Sequence, residues 1–372
     1  MRELKKPHFS MAGWGLFLAG ALTLSSCSNE DLPGGEEQGP AIEFGKVESR
    51  ADANAVGFDK FGVFAQMNLG ADGTEKAAEY IDLLTNEKVY FVENTADGET
   101  PWKYDNIRYW ITERTFQFFA YTPYVEEGVT SSAVSIPVPT TLNEKAGYQI
   151  AFSTPSTADV DLMVDHKTQP ILANPTSYPT VTFDFKHTLS KIGIKVAKAS
   201  GNADNKVVVK LVTLANVKKD GTYYTSGHNE YTDNWVTDAP TSFTKSTDME
   251  IAPTATDVLG EGNEFLLIPQ TITGDANGIQ VSVNYDFYDP IYQENEDGTT
   301  TITSYKREGN YTVSGTLPIL GTERGESKWE ESTRYTYNIQ LSPKNNNILF
   351  GTPTISNDWD VEKQIGGTII IQ

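Results

Sequence analysis

The sequence predicts an all-β protein, because apolar and polar residues alternate in several segments and turn sequences separate those segments. The clearest alternating residues are Ile279, Val281, Val283, Tyr285 and Phe287. A period of two indicates a strand with one buried face, since successive side chains of a strand point to opposite sides. Lys219-Asp220-Gly221 and Glu296-Asp297-Gly298 are typical of turns between strands. Strands without intervening helices favour antiparallel β-sandwiches over a βαβ fold.

Three further segments alternate in the same way and support the same fold class. They are residues 181–189, 192–196 and 335–341. Helical periodicity is confined to residues 75–84, where Ala78, Ile81 and Leu84 would share one face of a helix. We therefore expect one short helix at most in a protein made of strands.

The first residues have the composition of a secretory signal peptide. A basic start precedes residues 11–24, an apolar segment without a charge. A transmembrane helix needs about 20 apolar residues, so this segment is too short to be one. It ends in Leu24-Ser25-Ser26-Cys27, which resembles a bacterial lipobox. We therefore expect residues 1–26 to be removed as a lipoprotein signal peptide and Cys27 to be acylated.

Cys27 is the only cysteine of the chain, so the chain cannot form an internal disulfide. The alternative is an ordinary signal peptide with an incidental cysteine. Several acyl chains hold a protein firmly to a bilayer, which predicts an anchored outer-membrane lipoprotein. Ser28-Asn29-Glu30-Asp31 resembles the acidic signal that directs some lipoproteins to the outer face of the outer membrane. The predicted location is therefore the cell surface.

The rest of the chain divides into a tether and two predicted domains. Gly, Pro and Glu dominate before Ala41, which is typical of a flexible linker, so residues 27–40 are predicted to be an acidic tether. Pro and Asn interrupt the strand pattern around residues 169–179. We therefore expect an amino-terminal sandwich at residues 41–175 and a carboxy-terminal sandwich at residues 176–372.

The charge of the chain excludes one class of partner. Fifty acidic residues against 29 basic ones give a formal net charge of −21. Such a surface repels nucleic acid. Aromatic residues make up 11% of the chain, and those rings need a folded core, so the chain is not a disordered acidic one.

No recognised catalytic or metal-binding motif occurs in the sequence. G-x-S-x-G, Walker, G-x-G-x-x-G and H-E-x-x-H patterns are all missing, and the histidines lack ligand spacing. We predict no enzymatic activity, no cofactor and no metal site. His187 is in phase with Phe185 and Leu189, so it should point inward and form a hydrogen bond rather than act in catalysis.

Two other features have a functional alternative that we consider weaker. The acidic residues 294–298 could bind calcium, but they lack the twelve-residue pattern of a calcium loop, and a solvated hairpin tip is the preferred interpretation. Trp102, Trp110 and Trp235 could stack on sugars, but aromatic residues of a sandwich usually fill its core. We expect these rings to be buried.

Several segments together resemble the fimbrillin family of the Bacteroidetes. The segments are Phe118-Phe119-Ala120-Tyr121-Thr122-Pro123-Tyr124, Asp161-Leu162-Met163, residues 183–191, Tyr335-Thr336-Tyr337-Asn338-Ile339 and residues 355–359. Their order and spacing, together with the lipobox, extend the resemblance over nearly the whole chain. The resemblance implies two transthyretin-like antiparallel β-sandwich domains in tandem.

The same resemblance implies how the chain would be processed. Such proteins are exported as lipoproteins and cut after an arginine, which frees a first strand and opens a groove for a strand of another subunit. The matching site here is Arg50-Ala51. Residues 41–47 precede it and alternate, so Ile42, Phe44 and Val47 are the apolar residues of the predicted removable strand.

The end of the sequence contains the predicted donor strand. Residues 364–372 carry no charge and contain Ile365, Ile369, Ile370 and Ile371. Nine residues of strand reach roughly 30 Å, enough to lie along a sandwich. The alternative is that this segment is the last strand of its own domain.

Three classes of function follow from these observations. The first is a structural subunit of a cell-surface fimbria that polymerises with copies of itself or with other fimbrial subunits. The second is a tip or accessory adhesin, and the third is a stand-alone surface glycan-binding lipoprotein or hydrolase. The site at Arg50 and the apolar strand at residues 364–372 favour the first class. A ligand on a host or bacterial surface remains open.

Overall fold

The fold is taken from a computed structural model of the chain. It describes residues 38–45, 48–49, 59–68, 80–93, 95–96, 99–129, 133–136, 148–154, 160–199, 201, 203–224, 234–260, 262–319, 328–342, 347–351 and 353–356. These residues form strands, turns and connecting loops.

In chain order the strands of the first half are β1 (Gln38–Ala41), β2 (Glu48–Ser49), β3 (Lys60–Asn68), β4 (Tyr80–Phe91), β5 (Trp102–Lys103), β6 (Tyr109–Ile111), β7 (Arg114–Thr122), β8 (Val134–Ser135), β9 (Gln149–Ser153), β10 (Met163–Ile171) and β11 (Asp184–His187). Those of the second half are β12 (Ser190–Lys198), β13 (Lys206–Val217), β14 (Asp220–Tyr224), β15 (Trp235–Thr237), β16 (Thr241–Glu250), β17 (Thr256–Asp257), β18 (Phe265–Leu267), β19 (Gln280–Glu294), β20 (Thr300–Thr316), β21 (Thr333–Ser342), β22 (Asn347–Phe350) and β23 (Thr354–Ser356).

The first half of the chain contributes all the strands of a seven-stranded sheet with the order β2-β11-β10-β7-β3-β4-β5. One face of this sheet packs on a four-stranded sheet, β15-β14-β9-β8. Side chains of both sheets share one core, for example Phe64 and Phe119 with Tyr148 and Trp235. The opposite face of the seven-stranded sheet is lined by Phe61 of β3 and by Phe116 and Phe118 of β7.

The second half forms a sandwich of two further sheets. One has the order β17-β12-β21-β22, with β18 on β12 and β23 on β21, and the other has the order β16-β13-β19-β20. Their facing side chains form a single core to which β12, β13, β19 and β21 each contribute. Ile194, Val212, Val283 and Tyr337 are fully buried in it.

The predicted all-β fold is confirmed, and so is the alternation that led to it. On β19 the inward residues Val281, Val283 and Tyr285 are completely buried, and Phe287 is nearly so. The strand continues beyond the predicted segment to Glu294, because β20 pairs with it along its length to form a long hairpin.

Two details differ from the expectation. The predicted helix at residues 75–84 is wrong over its described part, because Tyr80 begins β4, which pairs with β3. An isolated helix of ten residues is marginal in water, whereas a strand gains a partner for every other backbone group. The sheets also include two parallel pairs, β11 with β2 and β12 with β21.

Three strand pairs connect the ranges that were predicted to be separate domains. β10 and β2 each pair with β11 on the other side of residue 175, and β9 pairs with β14. The predicted tether also overlaps β1, which begins at Gln38 and pairs with β6. The domain boundaries therefore stay a prediction.

The described residues include no helix with the length and apolar character needed to cross a membrane.

Candidate functional site

The candidate site is the place where residues 38–45, here called the first segment, lie against the rest of the fold. β1 starts the segment and pairs antiparallel with β6, with Ala41 opposite Tyr109. The pairing continues at Ile42, whose backbone N–H donates to the carbonyl oxygen of Arg108 at 2.8 Å. One edge of the first segment is therefore attached to the chain between β5 and β7.

The other edge of the first segment is attached to residues 180–183. Phe44 lies antiparallel to Trp102 on one side and parallel to Val181 on the other. The N–H of Gly45 donates to the Val181 carbonyl and the N–H of Val181 donates to the Glu43 carbonyl, both at 2.8 Å. The first segment therefore fills a groove, defined here by residues 102–111 on one side and residues 180–183 on the other.

Two apolar side chains of the first segment point to the bottom of this groove. Ile42 is 1% exposed and Phe44 is 0% exposed. The Phe44 ring contacts Phe183 at a centroid distance of 5.9 Å and Phe118 at 6.2 Å. Burying a side chain of this size contributes about 1.5–3 kcal/mol, so the two residues hold the segment mainly by hydrophobic burial.

Tyr104 holds the first segment by a polar contact. Its hydroxyl donates to the carbonyl oxygen of Ile42 at 3.0 Å, and its ring lies 5.2 Å from that of Phe44. Burial raises the pKa of Tyr104 to about 12, because the charged phenolate would lose its water. The hydroxyl therefore stays protonated at neutral pH and keeps its role as a donor.

Two glycines allow the first segment to approach its neighbours closely. A Cβ atom at Gly39 would lie 2.7 Å from ring carbons of Tyr178. One at Gly45 would lie 2.9 Å from the methyl carbons of Thr180 and Thr182. Both distances are too short for a side chain unless the Tyr178 ring or the threonine methyl groups move, so this packing favours glycine at both positions.

The chain continues from the first segment along the same neighbour. β2 lies parallel to β11, with Glu48 opposite Asp184 and Ser49 opposite Phe185, at one edge of the seven-stranded sheet. The predicted cleavage site follows β2 directly in the sequence. Seven predicted site residues and the predicted acylated residue lie outside the described part of the chain: Val47, Arg50, Ala51, Ile365, Ile369, Ile370, Ile371 and Cys27.

Of the predicted strand residues, the structure thus brings Ile42 and Phe44 into one groove. The sequence did not predict the roles of Tyr104 in the groove, Gly39 in the first segment, or Tyr178, which packs against Gly39. A glycine beside an alternating apolar pattern is a signal of close backbone approach. That signal was available at Gly39, but the Gly and Pro content around it favoured a tether.

The side chains considered for other roles are structural. His187 is 7% exposed, and its Nδ1 contacts the carboxylate of Asp161, which confirms the predicted inward orientation and hydrogen bond. The Trp235 indole donates to the Thr188 carbonyl at 3.0 Å. Trp102, Trp110 and Trp235 are all buried, as expected for core residues.

The acidic residues 294–298 are the exposed tip of the β19–β20 hairpin, as predicted. Gly298 has a φ of 78°, and Asp297 accepts a hydrogen bond from the Thr299 backbone. Within the described ranges, no group of three or more His, Cys, Asp or Glu side chains is placed to hold a metal ion.

The fold is that of an all-β protein of stacked sheets, and the sequence places it in a known class. The profile of the fimbrillin-like family matches residues 49–359, so the chain belongs to that family. This family consists of fimbrial structural proteins and adhesins. No match was found among the curated proteins.

Solved structures of proteins from Bacteroides and Porphyromonas resemble the chain. A fimbrial protein from Bacteroides vulgatus is 19% identical, with a TM-score of 0.58 over 87% of this chain and 100% of that chain. A fimbrilin from Porphyromonas gingivalis is 13% identical over 88% and 99% of the two chains, with a TM-score of 0.38. The tip fimbrial protein Mfa3 of the same organism, with a carboxy-terminal truncation, is 12% identical over 86% and 100%, with a TM-score of 0.37. The first of these similarities supports the fold, whereas the other two TM-scores are too low to support an inference.

Proposed function

We propose that the chain is a structural subunit of a cell-surface fimbria that joins its neighbours by β-strand exchange. In this proposal it is exported as an outer-membrane lipoprotein through Cys27 and processed between Arg50 and Ala51. The observation that carries the proposal is the first segment, whose Ile42 and Phe44 fill a groove with a backbone edge on each side.

The groove would be unstable without a strand. Removal of the first segment would expose the aromatic rings around Phe44 and leave the backbone groups of Arg108 and Val181 without their partners. Exposed apolar surface and unpaired edges are the two features that drive β-strand addition. An incoming strand with apolar residues at alternate positions would restore both.

The position of Arg50 makes the first segment removable. β2 ends at Ser49, so a cut after Arg50 would break the covalent link between the first segment with β2 and the chain that continues into β3. While attached, a tethered strand has an effective concentration on the order of millimolar and outcompetes a free strand. Cleavage removes that advantage without changing the groove.

Residues 364–372 are the proposed donor from a second subunit. Ile365, Ile369, Ile370 and Ile371 supply apolar side chains, and each one buried would contribute about 1.5–3 kcal/mol. The proposed partners are therefore other fimbrial subunits. Before the cut, the acyl chains on Cys27 would also hold the protein in the lipid of the outer membrane. A ligand on a host or bacterial surface would be bound by the assembled fimbria.

A tip or accessory adhesin is the second candidate, since it would accept a strand without donating one. A stand-alone glycan-binding lipoprotein needs neither a cleavage site nor a groove. The presence of Arg50 and of residues 364–372 favours the structural subunit over both.

The test compares three variants by limited digestion with an arginine-specific protease, followed by size-exclusion chromatography. Trypsin is unsuitable because it could also cut after Lys46 and after Lys363, which directly precedes residues 364–372. Arg50→Ala should keep the chain uncut at this site and monomeric, whereas deletion of residues 364–372 should permit the cut but abolish multimers. Lys46→Ala, a neighbouring basic residue, should behave like the unchanged chain. Multimers of equal yield from the deletion variant would show that residues 364–372 are not the donor.

A further inference from the structure

The packing of the first segment restricts the register in which a donor strand could bind in the groove. This inference rests on the proposed strand exchange and adds the alignment of the two segments. The positions that restrict a strand in the groove are Gly39, which faces Tyr178, and Ile42 and Phe44, whose side chains are buried. Pro40 and Glu43 are exposed and impose no comparable restriction.

The spacing of the two buried positions limits the alignment. A donor must present apolar residues two positions apart, because positions 42 and 44 point to the same side of the strand. Between residues 364 and 372, only Ile369 and Ile371 have that spacing. Two alignments remain, one in the direction of the first segment and one reversed.

We propose that the donor enters in the direction of the first segment, with Ile369 of a second copy at position 42 and Ile371 at position 44. This alignment places Gly366 at position 39, where a Cβ atom would meet the Tyr178 ring at 2.7 Å. The glycine is an independent match, since the alignment was set by the isoleucines alone. It also places Ile370 at position 43, which is exposed.

The reversed alignment places suitable residues at fewer of the restricted positions. It also buries Ile369 and Ile371, but it places Gly366 at position 47, beyond the first segment and away from Tyr178. The direction parallel to residues 180–183 also allows the backbone hydrogen bonds of Val181 to form as they do with residues 43 and 45.

At one position the donor residue fits the groove poorly, so a smaller residue there should increase the rate of strand exchange. Gln372 would stand at position 45, where a Cβ atom would lie 2.9 Å from the methyl carbons of Thr180 and Thr182. These methyl groups would have to move to accept it. Gln372→Gly should therefore accelerate exchange.

The test uses two matched pairs of substitutions in the full-length chain. Each chain is cut with an arginine-specific protease, and the rate of multimer formation is followed by size-exclusion chromatography. Gly366→Val should slow multimer formation about tenfold or more, because it overpacks the contact with Tyr178, whereas Gly367→Val at the exposed position 40 should change it by less than about twofold. Ile371→Ser should slow it similarly, and Ile370→Ser should have little effect.

The results that would overturn the alignment differ from the result that would overturn the proposed strand exchange. Multimers that form equally fast with Gly366→Val and Gly367→Val would overturn the proposed direction, and a stronger effect of Ile370→Ser than of Ile371→Ser would overturn the register. Thermal unfolding of each uncut chain checks that the fold is unchanged. Failure of the unchanged chain to form multimers after the cut would overturn the exchange itself and the register with it.

Discussion

The rings of Phe44 and Phe183 stack with their centroids 5.9 Å apart and an angle of 25° between their planes. Both side chains are buried, and the contact joins the first segment to the neighbour that it follows in parallel. The groove is therefore held by side chains that lie far apart in the sequence. The strength of this contact can be measured by removing one ring.

Phe44→Ala should lower the free energy of unfolding by about 3–5 kcal/mol, because the deleted ring leaves a cavity among four aromatic neighbours. The centroid distances to Phe61, Tyr104, Phe118 and Phe183 range from 5.2 to 6.3 Å. Urea denaturation of the uncut chain measures the change. Glu43→Ala is the matched control, since Glu43 is the exposed neighbour, and an equal loss in both variants would contradict the argument.

The sequence predicted those parts of the fold that depend on neighbouring residues. Alternation on β19 correctly predicted which of its side chains are buried, because that pattern follows from the geometry of a single strand. The same reasoning placed Ile42 and Phe44 on one face. At residues 75–84 the periodicity wrongly predicted a helix, since a short amphipathic segment fits a helix and a strand almost equally well.

The sequence did not predict which strands become neighbours. The β9–β14 pair joins segments separated in the sequence by β10 to β13, and β2 pairs in parallel with β11. Such pairings depend on where the whole chain folds back, which no local pattern records. The requirement for Gly39 has the same origin, since the ring that excludes a side chain there belongs to Tyr178.

A second prediction concerns the buried carboxylate of Glu264, which is 1% exposed. Its Oε1 accepts a hydrogen bond from Arg334 at 2.7 Å, and Lys191 lies 3.9 Å from its Oε2. Glu264→Gln should lower the free energy of unfolding by about 3–5 kcal/mol, because it leaves buried positive charge without its carboxylate.

Urea denaturation also measures this change, with Glu250→Gln as the control. Glu250 pairs with Lys206 at 3.1 Å, but its side chain is 55% exposed, so its substitution should cost less than about 1 kcal/mol. Equal effects of the two substitutions would show that burial of Glu264 does not strengthen its interactions.

A third prediction concerns pH. The Arg307 guanidinium donates to Asp286 at 2.6 Å and lowers the pKa of that carboxyl, with further help from Asn310. A carboxyl with a lowered pKa in the folded state stabilises the fold above its unfolded pKa, near 3.8, and loses that contribution as the pH falls through the folded pKa. Arg307→Met should therefore destabilise the protein at pH 7 and have a smaller effect at pH 2.5.

Denaturation curves at the two pH values measure the difference. Lys306→Met is the control, because Lys306 is an exposed neighbour that pairs with Glu308 instead. An effect of Arg307→Met that is equally large at both pH values would show that the ion pair with Asp286 is not its cause.

A fourth prediction tests the lipid anchor. The chain should incorporate a labelled fatty acid in cells, and Cys27→Ser should abolish the label, because Cys27 is the only cysteine. Ser28→Ala should retain it. Label that persists in the Cys27 variant would contradict acylation at this residue.

The last prediction separates the polar contact of the groove from its apolar packing. Tyr104→Phe keeps the ring that lies 5.2 Å from Phe44 but removes the hydroxyl that donates to the buried Ile42 carbonyl. An unsatisfied buried acceptor costs about 1–3 kcal/mol, so the urea midpoint of the uncut chain should fall accordingly. Tyr90→Phe is the control, since its hydroxyl bond to Asp105 is exposed and its loss should change the free energy of unfolding by less than about 0.5 kcal/mol. If the two variants unfold at the same urea concentration, Tyr104 holds the first segment by its ring alone.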